Sequence, residues 1–188
     1  MQQRPINDLV EALHSTGIKC SSKNGFPPVE LRGGKFNGGS ILIDASASSQ
    51  FLSSVLLTAP YAKHPVMLKV KGKLSSMRYV DMTLHVMRAF GAQVLCIDPL
   101  IYEVSNTDHY IAQNFQIEGD ATSATYFLAA AAITQGHVCI TNLSPESLQG
   151  DIQFLKILEE MGCKILRNER ASFTCACSKK RTPPRMRY

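Results

Sequence analysis

Apolar residues along the chain alternate between two periods, about 3.6 and 2, the signatures of helix and strand. In "INDLVEALHSTG", Leu9, Val10 and Leu13 share one helical face, and Gly17 supplies the stop. "PPVELRGG" and "GGSILIDA" read as short strands. The glycines and Asn37 between them read as a hairpin-type turn. "SSQFLSSVLLTA" predicts an apolar helix that Pro60 ends, and "HPVMLKVKG" a strand. "YVDMTLHVMRAFG" predicts an amphipathic helix whose core face is Met82, Val86 and Ala89 or Phe90. "AQVLCI" and "LIYEVS" predict two further strands.

The order then repeats. "QNFQIEGD" reads as a strand, "ATSATYFLAAAAI" as a helix, "GHVCITNL" as a strand and "GDIQFLKILEEMG" as a helix. "CKILR" and "ASFTCAC" close the pattern as strands. Each copy is β-α-β-α-β-β, an α/β class. The repeat reaches single residues, since "DASASSQFL" (Asp44 to Leu52) aligns without gaps on "DATSATYFL" (Asp120 to Leu128). Residues 1–34, helix-strand-strand, look like the back half of a third copy. Units of this kind cover their sheets with helices from neighbours. The chain is therefore expected to be an incomplete portion of something larger.

Composition narrows the classes. Of the 188 residues, 45% are hydrophobic, ordinary for a globular protein. No apolar run approaches the roughly 18 residues of a membrane span, and "MQQRPINDLV" has no secretory apolar core. A membrane partner is not expected, and the expected location is cytoplasmic. The net charge of +5 comes from "KKRTPPRMRY", which holds five of the 20 bases; those left equal the 15 acids. The neutral remainder argues against a nucleic-acid partner, and residues 178–188 read as a basic, disordered tail. Cys20, Cys96, Cys139, Cys163, Cys175 and Cys177 include no C-x-x-C pair and no zinc-finger spacing. They read as reduced, buried thiols, with no metal site and no cofactor. The five histidines are scattered. "RGGKFNGG" is not a nucleotide-binding loop.

Polar residues gather instead where helices begin. Helix N-termini offer free N–H groups and partial positive charge, which suit phosphate or carboxylate. Ser46, Ser48, Ser49 and Gln50 stand at one such place. They are either a cap, with Ser46 as N-cap and the others first-turn filler, or a ligand site. "KLSSMRY" (Lys73 to Tyr79) and Arg4 occupy equivalent levels of the repeat. Side-by-side packing would turn all three clusters to one edge, suited to a phosphorylated, polyhydroxylated small molecule.

These segments carry a family resemblance. "RPINDLVEAL", "PPVELRGG", "SASSQFLSSVLLTAPYA", "YVDMTL", "EGDATSATYFLAAAAI" and "LQGDI" resemble, in order, those of the EPSP synthases (3-phosphoshikimate 1-carboxyvinyltransferases) of the shikimate pathway. Related UDP-N-acetylglucosamine enolpyruvyl transferases share the fold, but the serine-serine-glutamine run favours the former. The resemblance covers residues 4 to about 166. It implies the enolpyruvyl transferase fold, with residues 1–117 part of one domain and 118–177 the first unit of the other. It implies that Ser48, Ser49, Gln50, Ser76 and Tyr79 contact shikimate-3-phosphate, and that Arg4 and Gln50 contact phosphoenolpyruvate. The implied reaction moves the enolpyruvyl group to the 5-hydroxyl of shikimate-3-phosphate, with loss of phosphate, in chorismate and aromatic amino-acid biosynthesis. The family's general base and several of its basic residues match no position here, so no catalytic residue is assigned. The isolated chain is expected to be inactive, working only with the remainder of the enzyme. Its alternative is an inactive remnant that binds shikimate-3-phosphate. Met77–Arg78 departs from the family's usual lysine or glutamine followed by proline.

Overall fold

The computed structural model describes residues 3–168 and 172–177; the basic tail predicted at 178–188 lies outside them. The chain divides into two compact units, residues 1–114 and 115–188.

The first unit opens with α1 (Asn7–Ser15), then β1 (Ile18–Lys23) and β2 (Phe26–Gly34), an antiparallel pair. It continues β3 (Gly39–Asp44), α2 (Ser49–Thr58), β4 (Val66–Lys71), α3 (Met77–Ala89), β5 (Val94–Asp98) and β6 (Ile101–Val104). Its main sheet has the order β3-β4-β6-β5. β3 and β4 run parallel across the α2 crossover; β6 is antiparallel to both β4 and β5. Burial alternates along β4, so one face of the sheet is covered and the other open. Ile41, Ile43, Val66, Leu68, Tyr102 and Val104 supply the sheet side of the core. Leu52, Val55 and Leu56 of α2 pack onto it with Val80, Leu84 and Met87 of α3.

Two expectations fail here. The glycine-rich segment after β2 is not a hairpin, because β2 pairs with β1 whereas β3 belongs to the other sheet. Its glycines carry the chain between sheets. At Gly38 (φ +82°) a β-carbon would fall 2.1 Å from the His64 carbonyl oxygen, a gap only glycine fits. The predicted core face of α3 is also displaced. Val80, Leu84 and Met87 are buried, Met82 is half-buried and Val86 exposed. The helix carries two apolar stripes, and packing against α2 and the sheet chose the other one.

The second unit runs α4 (Ala121–Thr134), β7 (His137–Ile140), α5 (Phe154–Glu160), β8 (Lys164–Asn168) and β9 (Ser172–Ala176), with sheet order β7-β9-β8. A 3-10 turn, Gly150–Gln153, leads into α5. Ala121, Ala124, Leu128, Leu143, Leu155, Leu158 and Phe173 form its core. Together the units show repeated β-α-β-α-β-β organisation, incomplete at the ends. The strand predicted in "QNFQIEGD" does not form. Asn142 holds that segment instead: its Oδ1 accepts from Gln116 Nε2 (2.8 Å) and its Nδ2 donates to the Ile117 carbonyl (3.0 Å). Gln149 Nε2 adds a bond to the Gly119 carbonyl (2.7 Å), so side chains take carbonyls that a strand ladder would have paired. The reading of the cysteines as reduced, buried thiols is corrected as well. Cys163 and Cys177 are disulfide-bonded; Cys96 and Cys139 are exposed. Register explains the pairing, since Lys164 faces Ala176 and the adjacent cysteines therefore face each other.

Candidate functional site at paired helix N-termini

In the first unit α2 and α3 both begin at one end of the main sheet, following the parallel strands β3 and β4, and side chains tie their starts together. The Ser49 amide donates to Ser75 Oγ (3.0 Å), linking the first turn of α2 to the loop before α3. One turn along, the Ser53 and Thr83 hydroxyls are 2.8 Å apart. The predicted clusters around Ser48 and Ser76 are thus brought together by Ser75, which sequence reading left out. Two adjacent serines were visible; which one reaches back to α2 depends on tertiary packing.

The N-cap of α2 is Ser48, not Ser46. Ser48 is extended (φ −165°, ψ 127°) and its hydroxyl accepts from the Gln50 amide (3.2 Å). Ser46 instead donates to Asp44 through its amide (2.9 Å) and its hydroxyl. Those two bonds hold the Asp44 carboxyl below the usual carboxylate range, with Lys71 adding to the effect. Ser49 is buried at 4% exposure and Gln50 is exposed. Ser76 is the N-cap of α3, extended at φ −154°, yet it makes no cap hydrogen bond. Its half-buried hydroxyl is uncommitted to its own helix. Tyr79, one turn into α3, is 56% exposed. Arg4 is exposed just before α1. The structure gives it no bond to the serines. Asp8 of α1, unlike Arg4, feels this edge: burial and the neighbouring Asp44 and Glu11 push its carboxyl up, and Lys71 works against them.

The second unit shows what is unusual about this edge. α4 is capped by Asp120, whose carboxylate accepts from the Thr122 (3.2 Å) and Ser123 (3.0 Å) amides. Gln149 Oε1 takes the Ala121 amide (2.8 Å). A fixed carboxylate thus already answers the positive end of α4. The aligned Asp44 sits before a helix that starts four residues later in the repeat, at Ser49 rather than Ala121. Neither α2 nor α3 has an acidic residue in its first turn. Their caps are neutral hydroxyls, and a hydroxyl that accepts an N–H still has its own proton to donate. The edge therefore offers hydroxyl donors and two helix N-termini with no carboxylate at the cap or in the first turn, with Lys73 and Arg78 exposed close by in sequence. This is the chemistry of an anion site. Among the described residues, the group of His, Cys, Asp or Glu side chains close enough to share a metal ion lies elsewhere, in the second unit.

Comparison with known proteins agrees with the sequence resemblance. The family model for EPSP synthase (3-phosphoshikimate 1-carboxyvinyltransferase) matches residues 1–185. The 3-phosphoshikimate 1-carboxyvinyltransferase of Serratia proteamaculans is 43% identical over 168 residues, covering 88% of this chain and 39% of the relative. That of Methanoregula boonei is 45% identical over 167 residues with the same coverage. A solved EPSP synthase from Acinetobacter baumannii superposes with a TM-score of 0.71 at 21% identity, over 94% of this chain and 40% of that one. The chain thus spans about two-fifths of the length of the relatives it matches. It belongs to the EPSP synthase family.

Proposed function

We propose that this chain supplies the shikimate-3-phosphate-binding edge of a 3-phosphoshikimate 1-carboxyvinyltransferase. The observation that carries the reading is the pair of carboxylate-free helix N-termini joined by Ser49 and Ser75. Ser48, Ser49 and Ser76 take the phosphate, Tyr79 lies along the ring, and Gln50 bridges toward phosphoenolpyruvate, which Arg4 helps to hold. In the reaction the 5-hydroxyl adds to C2 of protonated phosphoenolpyruvate, and inorganic phosphate then leaves. Two anions in one site repel, so cations must accompany the hydroxyls. The acid–base groups belong to the part of the enzyme outside the two-fifths that this chain spans. Family membership and the neutral caps support the binding role; the division of labour predicts binding without turnover.

The test is calorimetric titration of the 188-residue chain with shikimate-3-phosphate and, separately, with shikimate. Only the phosphorylated compound is expected to bind. Ser76→Ala should weaken it by roughly tenfold, the value of one hydrogen bond to a charged group. Equal affinity for both compounds would overturn the phosphate assignment. Phosphate release on adding phosphoenolpyruvate should be undetectable with the chain alone; turnover would show that the acid–base groups are present in it.

A further inference from the structure

The sequence spacing of the cysteines suggested no metal site, yet the fold collects three sulfurs that the spacing does not announce. Cys175 and Cys177 lie two apart on β9 and its continuation, so both point to the same face, which is the core of the second unit. Cys163, just before β8, faces Cys177 across the register. The three Sγ atoms lie within 4.8 Å of one another. A disulfide uses two of them, and Cys175 is left as a buried thiol 3.8 Å from Cys177 Sγ. That separation is the edge of a tetrahedral zinc–thiolate centre, since Zn–S bonds of about 2.3 Å place neighbouring sulfurs about 3.8 Å apart.

We propose that in the reduced chain Cys163, Cys175 and Cys177 form a three-thiolate site for a thiophilic divalent ion such as zinc. The all-sulfur donor set selects against magnesium and calcium. Cys175 and Cys177 are buried, whereas Cys163 is half-buried, so a water completes the tetrahedron on its side. The steps balance. A phosphine or thiol reductant gives two electrons to the Cys163–Cys177 bond, and with two protons it becomes two thiols. The ion then displaces three protons and forms a centre of charge −1. Ion and disulfide exclude each other, and either ties β8 to β9 at one point.

The test uses the full chain, reduced with a phosphine under argon and titrated with cadmium as the spectroscopic probe. A thiolate-to-cadmium charge-transfer band should grow and saturate at one ion per chain, with a rise in the melting temperature. Cys163→Ser, a change at a half-buried position, should abolish the saturating band, as should Cys175→Ala. Cys96→Ser, at an exposed position, should leave it intact. Absence of the band in wild-type chain whose circular dichroism shows it folded would overturn the proposal. So would a full band in folded Cys163→Ser.

Discussion

Ser48 and Ser76 hold the same position, the N-cap of a helix, and differ in what their hydroxyls do. Ser48 satisfies the Gln50 amide, whereas Ser76 satisfies nothing in α3. Ser48→Ala should therefore destabilise the first unit by about 1 kcal/mol. Ser76→Ala should stay within about 0.5 kcal/mol of wild type. Urea unfolding of both variants checks the difference, and equal losses would contradict it. Tyr102 makes a second prediction at this scale. It is fully buried, donates to the Pro99 carbonyl (2.7 Å), and burial with nearby Cys96, Asp81 and Asp98 pushes its hydroxyl up to about 12. The unfolded chain would release this proton near pH 10, the ordinary tyrosine value of about 10, while the folded chain keeps it. The associated stability is thus whole below about pH 10 and is lost as pH rises toward 12. An alkaline unfolding series should show that decline, and Tyr102→Phe should make it shallower.

At the scale of elements, the two stripes of α3 give opposite expectations. Leu84→Ala should cost about 2–5 kcal/mol, as a buried leucine does. Val86→Ala should cost less than about 0.5 kcal/mol, because Val86 itself is exposed. Thermal unfolding of the pair decides which face is the core. Periodicity located every helix and strand of the first unit's main sheet, because each has a strong apolar pattern. It could not choose between Leu84 and Val86, since both stripes satisfy the same period. It misjudged "QNFQIEGD", where side chains distant in sequence took backbone carbonyls that a strand would have paired: Asn142 the Ile117 carbonyl and Gln149 the Gly119 carbonyl. It also read a turn where Gly38 carries the chain to a different sheet. Of the candidate edge, Ser48 stood out by residue type and position, and Ser76 through the family resemblance. Ser75 did not, because its role is a contact made across 26 residues.

Viewed as a whole molecule, the chain pairs well-buried cores with uncovered apolar surface. On α4, Tyr126 (74%), Phe127 (62%) and Ile133 (82%) are exposed, and on the first unit's sheet Leu42 and Leu95 are too. Surface of this kind on repeat units is what neighbouring units cover, and exposed apolar patches mark interaction surfaces. The chain alone should bind the dye ANS while keeping a cooperative near-ultraviolet signal. Tyr126→Lys with Phe127→Glu should reduce the dye signal without lowering the melting temperature. A chain that binds no dye would mean these faces are covered in solution.

The contrast between Ser48 and Asp120 has a consequence for how this fold divides stability from activity. Asp120 acts as a built-in anion at the start of α4, where Ser48 puts a neutral hydroxyl at the start of α2. Replacing Ser48 with aspartate would install the same resident at the first unit. Such a Ser48→Asp chain should melt at a higher temperature than wild type and lose measurable affinity for shikimate-3-phosphate. The serine is then a position where selection for stability and selection for affinity pull in opposite directions.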